Sequence, residues 1–330
     1  MTLDAIELKP MRYIAVAVAV VLAVLLPWLV PNQFYVHLAT IGCINLMLVL
    51  GLAIIARAGQ LSMGHGGFAL VGGYVSALLS MNGWPALLSI FMAGLAAAAI
   101  AAGLGWIILR LRGVYFVLVA FAFSQIAVLL ALDMSSVTGG ANGLVGVPPV
   151  SIFGHVLLTK PQFYPFALVC ALATLFFTWL LYRSRLGAMM AATAENQRLT
   201  ESSGVDTHLV QVIAFTIGSG IAGFAGALST HYLQFISPDS YTFWESVSYL
   251  TMLVVGGRDG VLGSVIGVLV LTPLPELLRA TDGLQHIIYG AMLVLCLMFV
   301  PNGLVSLAQI WRARRRVAKT STAVVAEEVR

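Results

Sequence analysis

The residues that could do chemistry in this chain are few, and they fall into two groups. The first is a glycine-rich stretch, GQLSMGHGGF at 59–68, in which Ser62 and His65 supply polar atoms among small residues. The second is the polar segment from Arg183 to His208, RSRLGAMMAATAENQRLTESSGVDTH, which separates two long apolar runs. The sequence carries no HExxH pattern, no Ser/His/Asp set and no Cys/His spacing typical of a metal site. These patterns favour binding over catalysis, so no catalytic residue and no metal ligand is predicted.

The composition excludes a soluble globule. Of the 330 residues, 60% are hydrophobic and only 9% are charged, whereas a soluble domain carries about 25% charged residues. Repeated apolar runs of roughly 20 residues are typical of transmembrane helices, and the alternation of a membrane β-barrel is absent. We therefore predict an all-α, polytopic bundle of transmembrane helices. Cys43, Cys170 and Cys296 lie inside apolar runs, which favours buried thiols over redox or metal chemistry.

The hydrophobic pattern predicts about ten spans. They lie at 11–30, 34–56, 68–81, 86–109, 114–132, 162–182, 209–232, 244–255, 261–280 and 284–300. A cleaved signal peptide is the alternative for the first run, but the run is long for one and lacks a clear small-residue cleavage site, so we favour a retained span. The third and eighth spans are short and are the weakest of the ten.

Basic residues set the predicted orientation. One side holds Lys9, Arg12, Arg57, Arg110, Arg112, Arg183, Arg185, Arg198, Arg258 and the tail cluster from Arg312 to Lys319; the other holds Lys160 and Arg279. By the positive-inside rule both termini and the loop 183–208 are cytoplasmic, and the long loop 133–161 faces outward. We expect a membrane domain over 1–311 and a basic cytoplasmic tail over 312–330, which suits anionic lipid and gives no sign of a nucleic-acid partner.

Five spans on each side of the midpoint would give two halves of opposite topology. Glycine-rich elements fall in both, at 64–73 and at 256–267. Inverted repeats of this kind recur in transporters. Direct sequence similarity between the halves is faint. The inverted 5+5 repeat is therefore suggested only by the number of spans and the positions of the glycine-rich elements.

Polar residues near the middle of the spans are the candidates for a substrate pathway. Irregular backbone at membrane depth is tolerated only inside protein or beside a cavity. The residues proposed to line a pathway are Ser62, His65, Gly66, Gly67, Asn45 and Gln125. The alternative for 62–68 is a tight cytoplasmic turn, and Asn45 and Gln125 are also suited to bonding between helices. Glu245, near the start of the eighth span, is expected at the membrane interface.

Glycines in the seventh span, just before the ninth and within the ninth predict close helix packing. Small residues four apart let two helices approach closely. The positions concerned are Gly218, Gly223, Gly226, Gly257 and Gly263.

Several motifs in register resemble one family. They are GQLSMGHGGFALVGGY at 59–74, RGVYFVLVAFAFSQ at 112–125, TGGANG at 138–143 and GGRDGVLGSVIG at 256–267. Together they resemble the inner-membrane permease of branched-chain amino-acid type ABC importers, most closely its M-type subunit, over roughly 45–307. The resemblance implies a bacterial inner-membrane location and three kinds of partner: a sister permease, two cytoplasmic ATPase subunits and a periplasmic solute-binding protein. The solute is implied to be a branched-chain amino acid or a related small polar molecule such as urea or an amide.

The same resemblance implies a role for the loop 183–208. ABC permeases insert a short cytoplasmic helix with an EAA-like sequence and a later glycine into a groove on the ATPase. The corresponding residues here are Ala194, Glu195, Asn196, Arg198 and Gly204. Ala191 to Glu195 is a helix-forming stretch, Gly204 suits a helix end, and Glu195 and Arg198 are expected to share a helical face. The Ile-x-Leu-Pro ending of many importers is missing, and the alternative is a solvated connecting loop.

The sequence thus predicts half of an importer's pore that binds no ATP itself, since it lacks the Walker A pattern. ATP, the only cofactor involved, would be bound by the partner subunits. We expect the pore to be a heterodimer with the sister permease, although a second copy of this chain is left open. The alternative from another class is a self-contained secondary transporter or channel.

Overall fold

The structure is a computed structural model that describes residues 32–111, 113–152, 155–257 and 260–274, with isolated positions between 287 and 304. The first predicted span at 11–30, the end of the ninth, most of the tenth and the tail 312–330 lie outside the described residues.

Eleven α-helices occupy the described ranges. They are α1 (Gln33–Arg57), α2 (His65–Met81), α3 (Ala86–Ile108), α4 (Val114–Asp133), α5 (Ser135–Thr138), α6 (Lys160–Arg183), α7 (Arg185–Glu195), α8 (Gln197–Ser202), α9 (Thr207–Leu233), α10 (Phe243–Gly256) and α11 (Val261–Leu271). Short 3₁₀ turns cover Gly140–Asn142 and Pro238–Tyr241. The prediction of an all-α membrane bundle is confirmed.

Four two-residue strands lie in the connections. They are β1 (Leu144–Val145), β2 (Ser151–Ile152), β3 (His155–Val156) and β4 (Phe235–Ile236). β1 pairs antiparallel with β4, so that Leu144 faces Ile236, and β2 pairs antiparallel with β3. The first pair fastens the long loop 133–161 to the connection that follows α9.

The helix α9 is the centre of the bundle and packs against α1, α2 and α3. Its small residues permit the close approach. A Cβ atom built on Gly218 would collide with the carbonyl oxygen of Gly51 in α1, and one built on Gly226 would collide with that of Ala69 in α2. Gly223 meets the side chain of Ala97 in α3 in the same way. Each of the three neighbouring helices therefore packs against a different glycine of α9.

A second close contact joins α10 to α11. A Cβ atom on Gly263 would collide with the carbonyl oxygen of Gly257, and one on Gly267 with that of Met252. Gly257 itself has a φ of +118°, a conformation that side chains other than glycine rarely adopt.

Apolar surface is turned outward over the whole bundle. α4 buries the stripe Phe116, Ala120, Ser124 and Val128, while Leu118 is 56% exposed and lies on the opposite side. A surface of this kind needs lipid or protein around it.

Five described helices are long and apolar enough to cross a membrane, namely α1, α3, α4, α6 and α9. The broken pair formed by α10 and α11 would make a sixth if counted as one span. α2, with 17 residues, is shorter than this class. The predicted spans two to eight therefore correspond to helices within a few residues, but the count of ten and the inverted repeat stay predictions.

Candidate functional site

The residues Ser62 to Phe68, called here the α2 turn, lie inside the bundle. Ser62 and His65 have no exposed surface. Helix α2 begins at His65, three residues earlier than predicted, so that His65, Gly66 and Gly67 form its first turn. Both interpretations of 62–68, the lining of a pathway and a tight cytoplasmic turn, stay predictions.

Helices α1 and α4 pack closely against the α2 turn. The Nε2 atom of His65 donates a hydrogen bond to the carbonyl oxygen of Leu48 in α1 at 2.8 Å. A Cβ atom on Gly64 would lie 2.5 Å from the carbonyl oxygen of Ala120, and one on Gly67 would lie 2.8 Å from the Cα atom of Ser124, both in α4. Glycine is required at both positions because the backbone of α4 occupies the space that a side chain would need.

Ser246 of α10 caps α2 from another part of the chain. Its Oγ atom accepts a hydrogen bond from the backbone amide of Gly66 at 3.0 Å. The residue at the N-cap position, Gly64, has no side chain to make this bond. Since the first amides of a helix lack intrahelical partners, Ser246 supplies the missing acceptor.

Asn45 and Gln125 do not join the α2 turn directly. Asn45 donates from Nδ2 to the Oγ1 atom of Thr272 at 3.3 Å, which links α1 to the end of α11. Gln125 lies on α4 beside Ser124 and is partly exposed. Among the described residues, no group of three His, Cys, Asp or Glu side chains could hold a metal ion.

The polar loop 183–208 is folded into two short helices, α7 and α8, which together we call the α7–α8 hairpin. Ser184 caps α7 by accepting from the amide of Gly187 at 3.2 Å, and Asn196 caps α8 by accepting from the amide of Leu199 at 3.1 Å. Asn196 is extended, with a φ of −154° and a ψ of 100°. It therefore ends one helix and begins the next, and the expectation that Glu195 and Arg198 share one helical face is wrong.

Gly204 follows the end of α8 in a left-handed conformation. Its φ is +85°, its amide donates to the carbonyl of Glu201 at 2.9 Å, and the amide of Val205 donates to that of Thr200 at 3.4 Å. This pair of bonds is the Schellman ending of a helix, which favours glycine. The helix-ending position predicted for Gly204 is the one it occupies.

Side chains fasten the hairpin to the bundle. The carboxylate of Glu201 accepts from the hydroxyl of Thr207 at 2.6 Å and from the amide of Gln197 at 3.0 Å. Met190 of α7 is fully buried in an apolar cluster with Ile54 of α1 and neighbouring residues. One face of the hairpin is thus held against the last turns of α1 and α6 and the start of α9.

The other face of the hairpin is open. Ala194, Glu195, Asn196, Arg198 and Gly204 are all exposed. Leu199 is 65% exposed, and it lines a cleft of about 360 Å³ between α7 and α8 together with Met189 and Ala192. A second cleft of about 410 Å³ lies between α7 and the end of α1, and Arg57, Gly59 and Glu195 are among its lining residues.

At the opposite end of the bundle, His231 ties the loop 133–161 to α9 and α2. Its Nδ1 atom donates to the carbonyl oxygen of Pro148 at 2.7 Å. Because a carbonyl oxygen can only accept, Nε2 is the acceptor and receives the hydroxyl hydrogen of Ser76 at 2.8 Å. Asn142 and Gly143, the turn residues of this loop, lie at the end of the short 3₁₀ turn.

Comparison with known proteins assigns the family. The family described as "Branched-chain amino acid transport system / permease component" matches residues 34–297. This chain belongs to that family. It is 32% identical over 317 residues to the high-affinity branched-chain amino acid transport system permease protein LivM of Escherichia coli, covering 88% of this chain and 74% of LivM.

Two further relatives are more distant. The permease protein LivH of the Escherichia coli high-affinity branched-chain amino acid transport system is 27% identical over 298 residues, which is 82% of this chain and 94% of LivH. The autoinducer 2 import system permease protein LsrC of Salmonella choleraesuis is 30% identical over 142 residues, 41% of this chain and 40% of LsrC. No solved structure matches the chain. It is therefore a permease of this family, a multi-pass membrane protein.

Two residues of the site have no signal in the sequence alone. Ser246 lies 180 positions after the amide that it caps, so no local pattern could connect them. Leu199 is one of two leucines in the polar loop 183–208, and only its exposure on α8 distinguishes it from a leucine of the core.

Proposed function

We propose that this chain is a permease subunit of an ATP-driven importer for branched-chain amino acids or a related small polar solute. It forms half of the translocation pathway in a bacterial inner membrane, and both of its termini lie in the cytoplasm. The names of LivM and LivH support this assignment of solute and role. The distribution of basic residues supports the orientation.

The α7–α8 hairpin is the part that docks the ATPase subunits. The observation that carries this proposal is Leu199, which is 65% exposed on a helix between two membrane-length helices. Together with Met189 and Ala192 of the neighbouring cleft, it offers an apolar surface that a partner protein can cover. The arrangement of a cleft on either side of α7 suits a helix that sits in a groove of its partner.

Movement of the hairpin reaches the α2 turn through the end of α1. Gly59 follows α1 directly and packs against Ala194 of α7, and only the residues 60–64 separate it from His65. A displacement of α7 by the ATPases would therefore act on the start of α2. Ser62, His65, Gly66 and Gly67 are proposed to shift with it and to change access to the pathway.

Three kinds of partner complete the importer. A sister permease supplies the other half of the pathway, two ATPases bind ATP and dock on the hairpin, and a periplasmic binding protein delivers the solute to the loop 133–161. The pairing of β1 with β4 and the bond from His231 to Pro148 give that loop a fixed shape for such a contact.

Co-purification from the native membrane tests the proposal. The unaltered chain is expected to bring down a sister permease and two ATPases, identified by mass spectrometry. Leu199→Asp should lose the ATPases and keep the sister permease. The matched control is Leu158→Asp, since Leu158 is 67% exposed but lies in the loop at the opposite end of the bundle. Retention of the ATPases by Leu199→Asp would contradict docking on the hairpin.

The second candidate is a self-contained secondary transporter. It is favoured by one observation, the partly buried carboxylate of Glu245 at membrane depth, because ion-coupled carriers commonly use such groups. Solute uptake into liposomes distinguishes the two candidates. The importer requires the partner subunits and ATP for uptake, whereas the secondary transporter takes up solute as the isolated chain under an ion gradient.

A further inference from the structure

The α2 turn lies beside the middle third of α1, a helix long enough to cross a membrane. His65 is bonded to Leu48, which lies on α1 about 14 Å from its Arg57 end and about 23 Å from its Gln33 end, at 1.5 Å of rise per residue. A hydrocarbon core is about 30 Å thick. Residues in contact with the α2 turn are therefore at a depth where water is scarce.

The start of α10 lies at the same depth. Gly66 is bonded to Ser246 of the first turn of α10, and a Cβ atom on Gly66 would lie 3.7 Å from the carbonyl oxygen of Tyr241 and 3.8 Å from that of Thr242. The connection after α9 thus returns into the bundle before α10 begins. The amino ends of α2 and α10 meet there, at what we call the α2–α10 junction (His65–Gly67 with Tyr241–Ser246).

A carboxylate belongs to this junction. Glu245 precedes Ser246 and is partly buried. The hydroxyl of Tyr249, one turn further along α10, donates to its carboxylate, and no cationic group of the described residues is among its contacts. Ionisable groups within the membrane are costly and in most cases mark a functional site.

Two further polar residues lie on the two helices that meet here. Ser248 on α10 and Gln125 on α4 are both partly exposed. The two helices are joined by the ring contact of Phe121 with Phe243, whose centroids are 5.1 Å apart, and Gln125 follows Phe121 by one turn. Since polar side chains at this depth avoid lipid, this face of α4 and α10 is turned toward a pathway or another protein.

Two fully buried acceptors at the junction lack a partner among the described residues. They are Nδ1 of His65 and Oγ of Ser124. Nε2 of His65 carries its hydrogen, because it donates to a carbonyl, so Nδ1 is left as an acceptor. Ser124 packs against Gly67 in the same turn. Such groups cost free energy unless something donates to them.

We propose that Glu245 receives the ammonium group of the transported amino acid when it passes the α2–α10 junction. An ammonium group carries three donors and a positive charge, which matches a carboxylate that has no cationic group among its contacts in the described residues. The apolar side chain of the solute would then lie against the apolar surface of α4. This assignment rests on the proposed function, since it presumes an amino acid as the solute.

Uptake by the complete complex in proteoliposomes gives the first test. Glu245→Gln keeps the size of the side chain and removes its charge, and it should lower uptake of leucine at least tenfold while the ATPases still co-purify. Glu245→Asp should retain a larger part of the uptake. The matched control is Asp239→Asn, because Asp239 is exposed on the same connection and its loss should change uptake less than twofold. Uptake by Glu245→Gln within twofold of the unaltered complex would overturn the proposal.

Chemical labelling separates ligand binding from a merely structural role. Dicyclohexylcarbodiimide should label Glu245 in the complete complex, as detected by mass spectrometry of its peptide. Leucine at millimolar concentration should slow the labelling severalfold, whereas 4-methylpentanoate, which lacks the ammonium group, should not. Equal protection by both molecules, or by neither, would contradict the role of Glu245. If instead the unaltered complex with ATP takes up no branched-chain amino acid, the proposed function itself fails.

Discussion

Gly59 and Ala194 touch where the end of α1 meets α7. A Cβ atom built on Gly59 would lie 3.0 Å from the Cα atom of Ala194 and 3.3 Å from its Cβ atom. Gly59 has a φ of +84° and closes α1 with the two bonds of a Schellman ending, from its own amide to Ala56 and from that of Gln60 to Ile55. The α7–α8 hairpin therefore contacts the residue from which the chain turns toward the α2 turn.

Gly59→Ala should uncouple ATP hydrolysis from uptake. The added methyl group would separate α1 from α7, and the left-handed backbone costs about 1–2 kcal/mol for a residue other than glycine. We expect uptake to fall at least fivefold per ATP hydrolysed, measured in proteoliposomes. Gly83→Ala is the control, because Gly83 has a φ of +87° but nothing lies within 4 Å of its built Cβ atom. Equal ratios of uptake to hydrolysis in the two variants would show that the contact with Ala194 is unimportant.

Gly204→Ala should weaken ATPase docking through the backbone alone. No atom lies within 4 Å of a Cβ atom built on Gly204, yet its φ is +85°, so the strain would loosen the end of α8 and the placement of Leu199. We expect the apparent affinity for the ATPase to fall severalfold in a titration of the purified permease pair. If the affinity is unchanged and the thermal stability equals that of Gly83→Ala, Gly204 does not contribute to ATPase docking.

The sequence predicted the bounds of the helices better than the contacts between them. Hydrophobic runs located α1, α3, α4, α6 and α9 within three residues of their ends, because each run must bury its backbone bonds within itself. The packing of Glu245 beside the α2 turn could not be predicted, for a physical reason. A period of 3.6 residues tells which face a residue occupies, but it does not tell that the connection at 235–242 turns back into the bundle.

The interruption of the hairpin was also missed. Asn196 stands in a stretch whose composition favours one helix, and its side chain instead caps α8. Asparagine competes with the helix for backbone bonds, so it is suited to either role. The bond from Gly66 to Ser246 depends on the packing of α10 against α2, which no single stretch of sequence encodes.

Gly223→Ala should destabilise the bundle core. Its added Cβ atom would collide with the side chain of Ala97 and lie 3.1 Å from the carbonyl oxygen of Ala93. Overpacking of this kind costs about 1–3 kcal/mol. We expect the melting temperature of the detergent-solubilised protein to drop by several degrees. The melting temperature is measured by size-exclusion chromatography after heating. Gly103→Ala in α3 has open space around it and should leave the melting temperature unchanged; a similar loss in both variants would argue against tight packing at Gly223.

Ser246→Ala should free the amino end of α2. The bond from the amide of Gly66 to Ser246 Oγ is lost, and the loss of a capping oxygen costs about 1 kcal/mol. Hydrogen–deuterium exchange in the peptide containing Gly66 should therefore accelerate about fivefold, since about 1.4 kcal/mol corresponds to tenfold. Ser248→Ala is the control on the same helix, because Ser248 bonds only the carbonyl of Trp244 within α10, and it should leave that peptide unchanged. Exchange that is equally slow in both variants would mean that α2 does not depend on α10 for its cap. The contact at the α2–α10 junction would then not stabilise the start of α2.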